Sequence, residues 1–201
     1  MFALVESGSI TKYLNGNTGF QIGDLKYPRA IYTLWTEAER NAIGIYSIVY
    51  DDTNKKDEQW YINTNQSYAF ANNKVTATYG SATAKAHADT TWTEEDEDNG
   101  LGTEGEVATR GLKYNLIQTV KAQAEGELNR TDWYITRKAE KNTAIPSAIT
   151  THRDAVRSKQ AAMETAITNA SDTPALETLY TYTKQDNGSV TRPLGEMPTL
   201  E

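Results

Sequence analysis

The 201-residue chain has no cysteine, two histidines, five prolines and no long apolar run. Without cysteine there is no disulfide framework, no thiolate zinc site and no thiol nucleophile. The most apolar stretch, Ile43 to Tyr50, is broken by Gly44 and Ser47 and is about a third of a membrane span, so no membrane insertion is expected. The opening Met-Phe-Ala-Leu-Val-Glu lacks the basic and apolar regions of a signal peptide, which predicts a soluble chain without a recognisable export signal. Large aliphatic residues are scarce too, at 12 Leu, 12 Ile and 7 Val. Against that shortage stand 12 Tyr and 4 Trp, more aromatic surface than a solvated chain carries. The balance predicts a folded protein with thin cores that gains stability from a partner or from copies of itself.

The net charge of −7 is not spread along the chain. Residues 1–85 hold eight basic and eight acidic side chains, and residues 107–201 hold twelve and eleven. Residues 86–106 hold eight acids and no Lys or Arg. Neither flank has the cationic excess that offsets phosphate charge, and the acidic segment repels a nucleic-acid backbone, so no nucleic-acid partner is expected.

Organisation follows from local signals. Glycine and asparagine punctuate residues 7–24, predicting tight turns between short strands. Thr36-Glu37-Ala38-Glu39 spells a capping box that starts a short helix ending near Gly44. Ile45, Ser47 and Val49 then alternate with Tyr46, Ile48 and Tyr50, a strand with something to bury on both faces. Strands are expected at 59–63 and 66–70, and Asn72-Asn73 is a hairpin turn before Lys74 to Tyr79. Residues 86–106 lack periodicity and read as an acidic linker or mobile arm.

The second half is helical. Leu112, Leu116, Val120, Ala124 and Leu128 form one narrow apolar stripe. After Pro146, residues Ile149, Val156 and Met163 recur at seven-residue steps with His152, Gln160 and Ile167 between them, which resembles a short coiled-coil seam. Thr173-Pro174 signals a third helix burying Leu176, Leu179 and Tyr180, before an extended tail. The expected fold class is α+β: a β-rich module with one short helix at 1–85, an acidic linker at 86–106, and an antiparallel helical, coiled-coil-like module with an extended tail at 107–201.

Chemistry-bearing patterns are few. Counting Glu95 as the first position, acids or amides fall at positions 1, 3 and 5, Gly100 at 6 and Glu106 at 12, as in a calcium loop of the EF-hand type. Glu in place of the short acid, Gly102 in place of an apolar residue and no preceding amphipathic helix all depart from that loop. His152-Arg153-Asp154 matches a kinase triplet without the other kinase elements. No catalytic residue, metal ligand or cofactor site is assigned. The aromatics Trp35, Trp60, Tyr61, Tyr68, Phe70 and Tyr79 form either the core of the β module or a sugar-stacking or docking patch.

The segment Tyr27-Pro28-Arg29-Ala30-Ile31-Tyr32-Thr33-Leu34-Trp35-Thr36-Glu37-Ala38-Glu39-Arg40, running on to Gly44-Ile45, resembles the opening module of small tail proteins of tailed bacteriophages. Asp132-Trp133-x-x-x-Arg137, Ala144-Ile145-Pro146 and Arg153-x-x-Val156-Arg157 resemble the tail fibre assembly and tail assembly chaperone proteins of the same viruses. That resemblance implies a non-enzymatic structural protein of the virion tail, made in the host cytoplasm. It would link tail, baseplate or fibre proteins by protein contacts and assemble with copies of itself. A fibre assembly chaperone absent from the particle and a receptor or glycan binder are the alternatives. The expected interaction residues are Trp133, Arg137, Arg153 and Arg157, with Ile149, Val156 and Met163 of the seam. Physically, Asp132 caps a turn, Trp133 covers the end of the first helix, and Arg153 and Arg157, four apart, share one helix face. Arg137, Arg153 and Arg157 are expected to meet acids on the first helix or on a neighbouring subunit, the alternative for Arg153 and Arg157 being that both are solvated.

Overall fold

In the computed structural model, which describes residues 1–64 and 66–200, the alternating segment after Gly44 becomes a strand whose two faces serve different cores. The chain is α+β and divides into two units, Met1–Thr83 and Ala84–Glu201. The first runs β1 (Phe2–Glu6), β2 (Ser9–Leu14), β3 (Phe20–Ile22), β4 (Leu25–Tyr27), α1 (Ile31–Leu34), α2 (Glu37–Ala42), β5 (Ile45–Asp51), β6 (Tyr61–Ile62), β7 (Ser67–Ala71) and β8 (Lys74–Thr78). A two-residue strand, β9 (Thr83–Ala84), falls at the boundary.

Five strands form one sheet in the order β2-β1-β5-β8-β7. β1 is antiparallel to both neighbours, β5 and β8 are parallel with Ile48 opposite Val75, and β7 and β8 form an antiparallel hairpin. The sheet curls until its edge strands meet: the rings of Tyr13 on β2 and Tyr68 on β7 lie 4.8 Å apart. Strand periodicity sorts the side chains. Leu4, Leu14 and Ile45 join Phe20, Ile31 and Tyr32 in one cluster, while Ala3, Val5, Ile48, Val75 and Ala77 form another.

Local chemistry accounts for the ends of these elements. The Thr36 hydroxyl accepts the Glu39 N–H, and the Glu39 carboxylate accepts the Thr36 N–H at 2.7 Å, so the predicted capping box forms. Asn72 and Asn73 take φ of 50° and 59°, the left-handed pair that a two-residue hairpin turn needs. Of the aromatics expected as core or docking patch, Trp60 and Tyr61 are buried, Trp35 packs on the first cluster, Tyr68 and Phe70 pack on the second, and Tyr79 is half-buried. The sequence reading also misses α1, a single turn that buries Ile31 and Tyr32.

The second unit runs β10 (Thr90–Thr91), α3 (Glu94–Asp98), β11 (Val107–Thr109), α4 (Leu112–Asn129), α5 (Asp132–Lys141), α6 (Ser147–Asn169), α7 (Thr173–Tyr180), β12 (Thr183–Lys184) and β13 (Val190–Thr191). α4 and α6 are antiparallel, since Lys113 reaches the Thr168 carbonyl while Arg153 reaches that of Leu128. α4, which carries the predicted apolar stripe, starts at the Gly111 N-cap after a short strand. Val120 and Ala124 of α4, with Ile149, Val156, Met163 and Ile167 of α6, are buried. Leu176 of α7 is fully buried, and the tail anchors through Leu194, whose carbonyl accepts from the Lys159 ammonium at 2.7 Å.

The expectation of a linker over 86–106 is corrected: this segment is a folded part of the second unit. β10 and β11 pair antiparallel, and the Trp92 N–H donates to the Glu106 carbonyl at 2.9 Å. Between them α3 starts with its own capping box, Thr93 and Asp96 exchanging hydrogen bonds. The base is pinned to the start of α4 by Asp89, which accepts from Arg110 at 2.6 Å and from the Gly111 N–H at 2.8 Å. These contacts offset like-charge repulsion that composition alone reads as disorder.

Two expected outcomes follow. Gly44 has φ +81°, and an added Cβ would fall 2.5 Å from the Val5 carbonyl oxygen, so Gly44→Ala should destabilise the chain by about 1–3 kcal/mol in urea denaturation. The Gly111 N–H and then Arg110 hold the Asp89 carboxyl below its ordinary value. Its contribution is therefore complete above the unfolded-state value of 3.8 and is lost as pH falls through the lower folded-state value. Hydrogen exchange at the Gly111 amide, corrected for intrinsic rate, should lose protection only in that acid range, and Asp89→Asn should weaken the protection at neutral pH.

Candidate functional site

Helices of mixed composition normally bury one face, but α5 has no buried residue. Its sequence, Asp132-Trp133-Tyr134-Ile135-Thr136-Arg137-Lys138-Ala139-Glu140-Lys141, nevertheless carries large apolar groups. Trp133 is 51% exposed and Ile135 42%. Helical spacing puts Trp133, Arg137 and Lys141 on one face, with Tyr134 and Lys138 alongside. The Trp133 and Tyr134 rings lie 4.0 Å apart. The Arg137 guanidinium sits 4.5 Å from the Trp133 ring centre and 5.5 Å from that of Tyr134. Such cation–π contacts contribute about 0.5–1 kcal/mol each at exposed sites, enough to hold Arg137 over the rings. The helix ends at Asn142, in the left-handed conformation at φ 51°.

The direction in which α5 leaves the unit is set by Arg153. Its Nη1 donates to the Leu128 carbonyl at 2.8 Å, to the Thr131 hydroxyl at 2.7 Å and to the Asp132 carboxylate at 2.7 Å. Thr131 is itself fully buried, its hydroxyl donating to the Leu128 carbonyl. A cation thus meets the C-terminal carbonyls of α4 and the first carboxylate of α5 together, an arrangement favoured by both helix dipoles.

The candidate residues separate accordingly. Trp133 and Arg137 come together on the open surface of α5. Arg153 is 8% exposed and occupied within the chain, so of the expected alternatives it takes neither a neighbouring subunit nor solvent, and its acid is Asp132 at the start of α5 and not one on the first helix. Arg157, one turn on, is solvent-facing and meets Asp154 at 3.4 Å, so the two arginines do not point at one partner. Ile149, Val156 and Met163 are core of the second unit and offer no external seam. Trp133 does not cover the end of α4 as expected, because residues 132–141 form a helix where the sequence reading placed a turn.

The remaining patterns resolve geometrically. In the His152-Arg153-Asp154 triplet, His152 is buried beside Glu127 with Nε2 3.9 Å from its carboxylate, while Asp154 faces outward. The calcium-loop alignment fails because Glu95 to Asp98 are helical and Asp96 is engaged by Thr93, while Glu97 accepts the Glu104 N–H at 2.9 Å. Among the described residues no group of three or more His, Asp or Glu is placed to hold a metal ion, and no helix is long and apolar enough to cross a membrane. In the first unit, an open depression of about 350 Å³ is lined by Gly19, Phe20, Gln21, Lys26 and Tyr27, with Phe20 and Tyr27 stacked at 5.3 Å.

The two arginines should respond differently to truncation. Arg153→Ala removes the nearly buried donor shared by the Leu128 carbonyl, the Thr131 hydroxyl and the Asp132 carboxylate and should cost about 2–4 kcal/mol. Arg157→Ala should stay within about 0.5 kcal/mol of the parent chain. Urea denaturation followed by the helical circular dichroism signal measures both. Compared with known proteins, the chain matches no protein family, no curated protein and no solved structure.

Proposed function

We propose that the chain is a non-catalytic assembly protein of a bacteriophage tail, joining tail, baseplate or fibre components through protein contacts. The observation that carries this reading is α5: a helix with no buried residue that displays Trp133 beside Arg137 on one face and Ile135 on another. Aromatic and arginine side chains are the types that dominate the energetics of protein interfaces. The resemblance of Asp132-Trp133-x-x-x-Arg137 and Arg153-x-x-Val156-Arg157 to tail assembly proteins supplies the viral context. In this reading the first unit is a β-rich module, the second an antiparallel, coiled-coil-like helical module, and the protein stays in the particle after synthesis in the host cytoplasm.

The test has two arms. Mass spectrometry of purified, washed virions should contain the chain in a stoichiometric amount, and its absence would overturn the structural role. Affinity capture from infected cells with the full chain should recover tail or fibre proteins. Trp133→Ala should lower that recovery at least tenfold while leaving the denaturation midpoint within about 0.5 kcal/mol of the parent.

A further inference from the structure

This inference rests on α5 being a docking surface and names its occupant. We infer that α5 of one copy receives the acidic excursion, residues 93–106, of a second copy, so that copies join head to tail.

The two surfaces are complementary in kind. α5 offers Trp133 with Arg137 and Lys141 along one face and Ile135 with Lys138 along the next, against which its only acids are Glu140 and an Asp132 already held by Arg153. The excursion carries seven acids and no Lys or Arg, and in its middle Leu101 stands 60% exposed. An exposed leucine in an acidic segment thus meets a helix that exposes apolar side chains among three cations, and complementary charge of this kind selects the partner.

The same copy does not supply the match. The base of the excursion is tied to the first turn of α4, where the Gly111 N–H donates to Asp89 and the Leu112 N–H to the Ala86 carbonyl at 3.0 Å. α5 leaves from the other end of α4, 18 residues later, or about 27 Å at 1.5 Å per residue. Complementary surfaces at opposite ends of one helix make a contact that is heterologous, not isologous. Such contacts close into rings or extend as filaments according to the rotation between copies.

Sedimentation velocity of the full chain tests this. Self-association at about 50 mM salt should weaken at least tenfold at about 500 mM, because the ion pairs are exposed. Lys138→Glu with Lys141→Glu should weaken it at least tenfold, as should Glu95→Lys with Asp98→Lys, which leaves the Thr93 and Asp96 capping box intact. An equimolar mixture of the two double variants should restore it. The chain has no cysteine, so a second measurement is clean: mixing Leu101→Cys with Ile135→Cys under mild oxidation should give the mixed disulfide. A monomer at low salt, association that survives both reversals, a mixture that stays apart, or no mixed disulfide would each overturn the inference. A monomeric chain whose capture of tail proteins still depends on Trp133 would overturn this occupant and leave the docking reading standing.

Discussion

The second unit turns on one guanidinium. α4 ends at Asn129 and α5 starts at Asp132, so the chain changes direction within a few residues, and the carbonyls at the end of α4 need donors. Arg153 supplies one from α6, reaching Leu128, Thr131 and Asp132 together. Three helices are therefore joined at one polar point, while α4 and α6 bury Val120, Ala124, Ile149, Val156 and Met163. α5 has no apolar anchor of its own, so its presentation depends on that corner. Lysine would provide the charge without the planar fork, and the orientation of α5 would be less defined.

A shortage of aliphatic residues shapes the first unit. A small curled sheet with core on both faces needs more apolar volume than its few Leu, Ile and Val provide, and aromatic rings make up the difference. Phe2 and Tyr32 lie 4.7 Å apart, and Tyr46 and Phe70 4.8 Å. The Arg40 guanidinium lies 5.5 Å from the Phe2 ring centre, closing the edge of the first cluster. Much of the aromatic richness of the first unit is therefore packing, whereas Trp133, like Tyr114 and Tyr182, is an exposed ring with an arginine against it.

What was legible in the sequence was local. The Thr36 and Glu39 capping box, the Asn72-Asn73 turn, the Pro146 and Pro174 helix starts and the seven-residue recurrence in α6 each depend on residues close in the chain. What was not legible depends on distant contacts. Asp-Trp-Tyr-Ile-Thr opens with aromatic and β-branched residues of modest helix propensity, so α5 reads as a turn until Arg153, 21 residues on, fixes its first carboxylate. Arg153 and Arg157 were equivalent by spacing, and only the position of the α4 terminus separates them. The acidic segment read as disordered because its pinning contact spans 22 residues, from Asp89 to Gly111.

That pinning changes what eight clustered acids can do. On a mobile arm they would bind any basic surface weakly, because ordering the arm would consume much of the interaction. With Asp89 tied to Arg110 and Gly111, Asp96 turned to Thr93 and Glu97 to Glu104, the remaining acids are carried on a folded segment that also exposes Leu101. A fixed array of charges discriminates by geometry as well as by sign, since a partner must place its cations at matching spacings. α5 meets that demand in its own way: a helical stripe fixes the spacing of Arg137, Lys138 and Lys141, and Arg153 fixes the helix. Both ends of α4 are therefore preorganised by small groups of polar contacts, one including Asp89 and the other centred on Arg153. The charge of the chain, concentrated in one segment, acts as a positional feature and not as a bulk property.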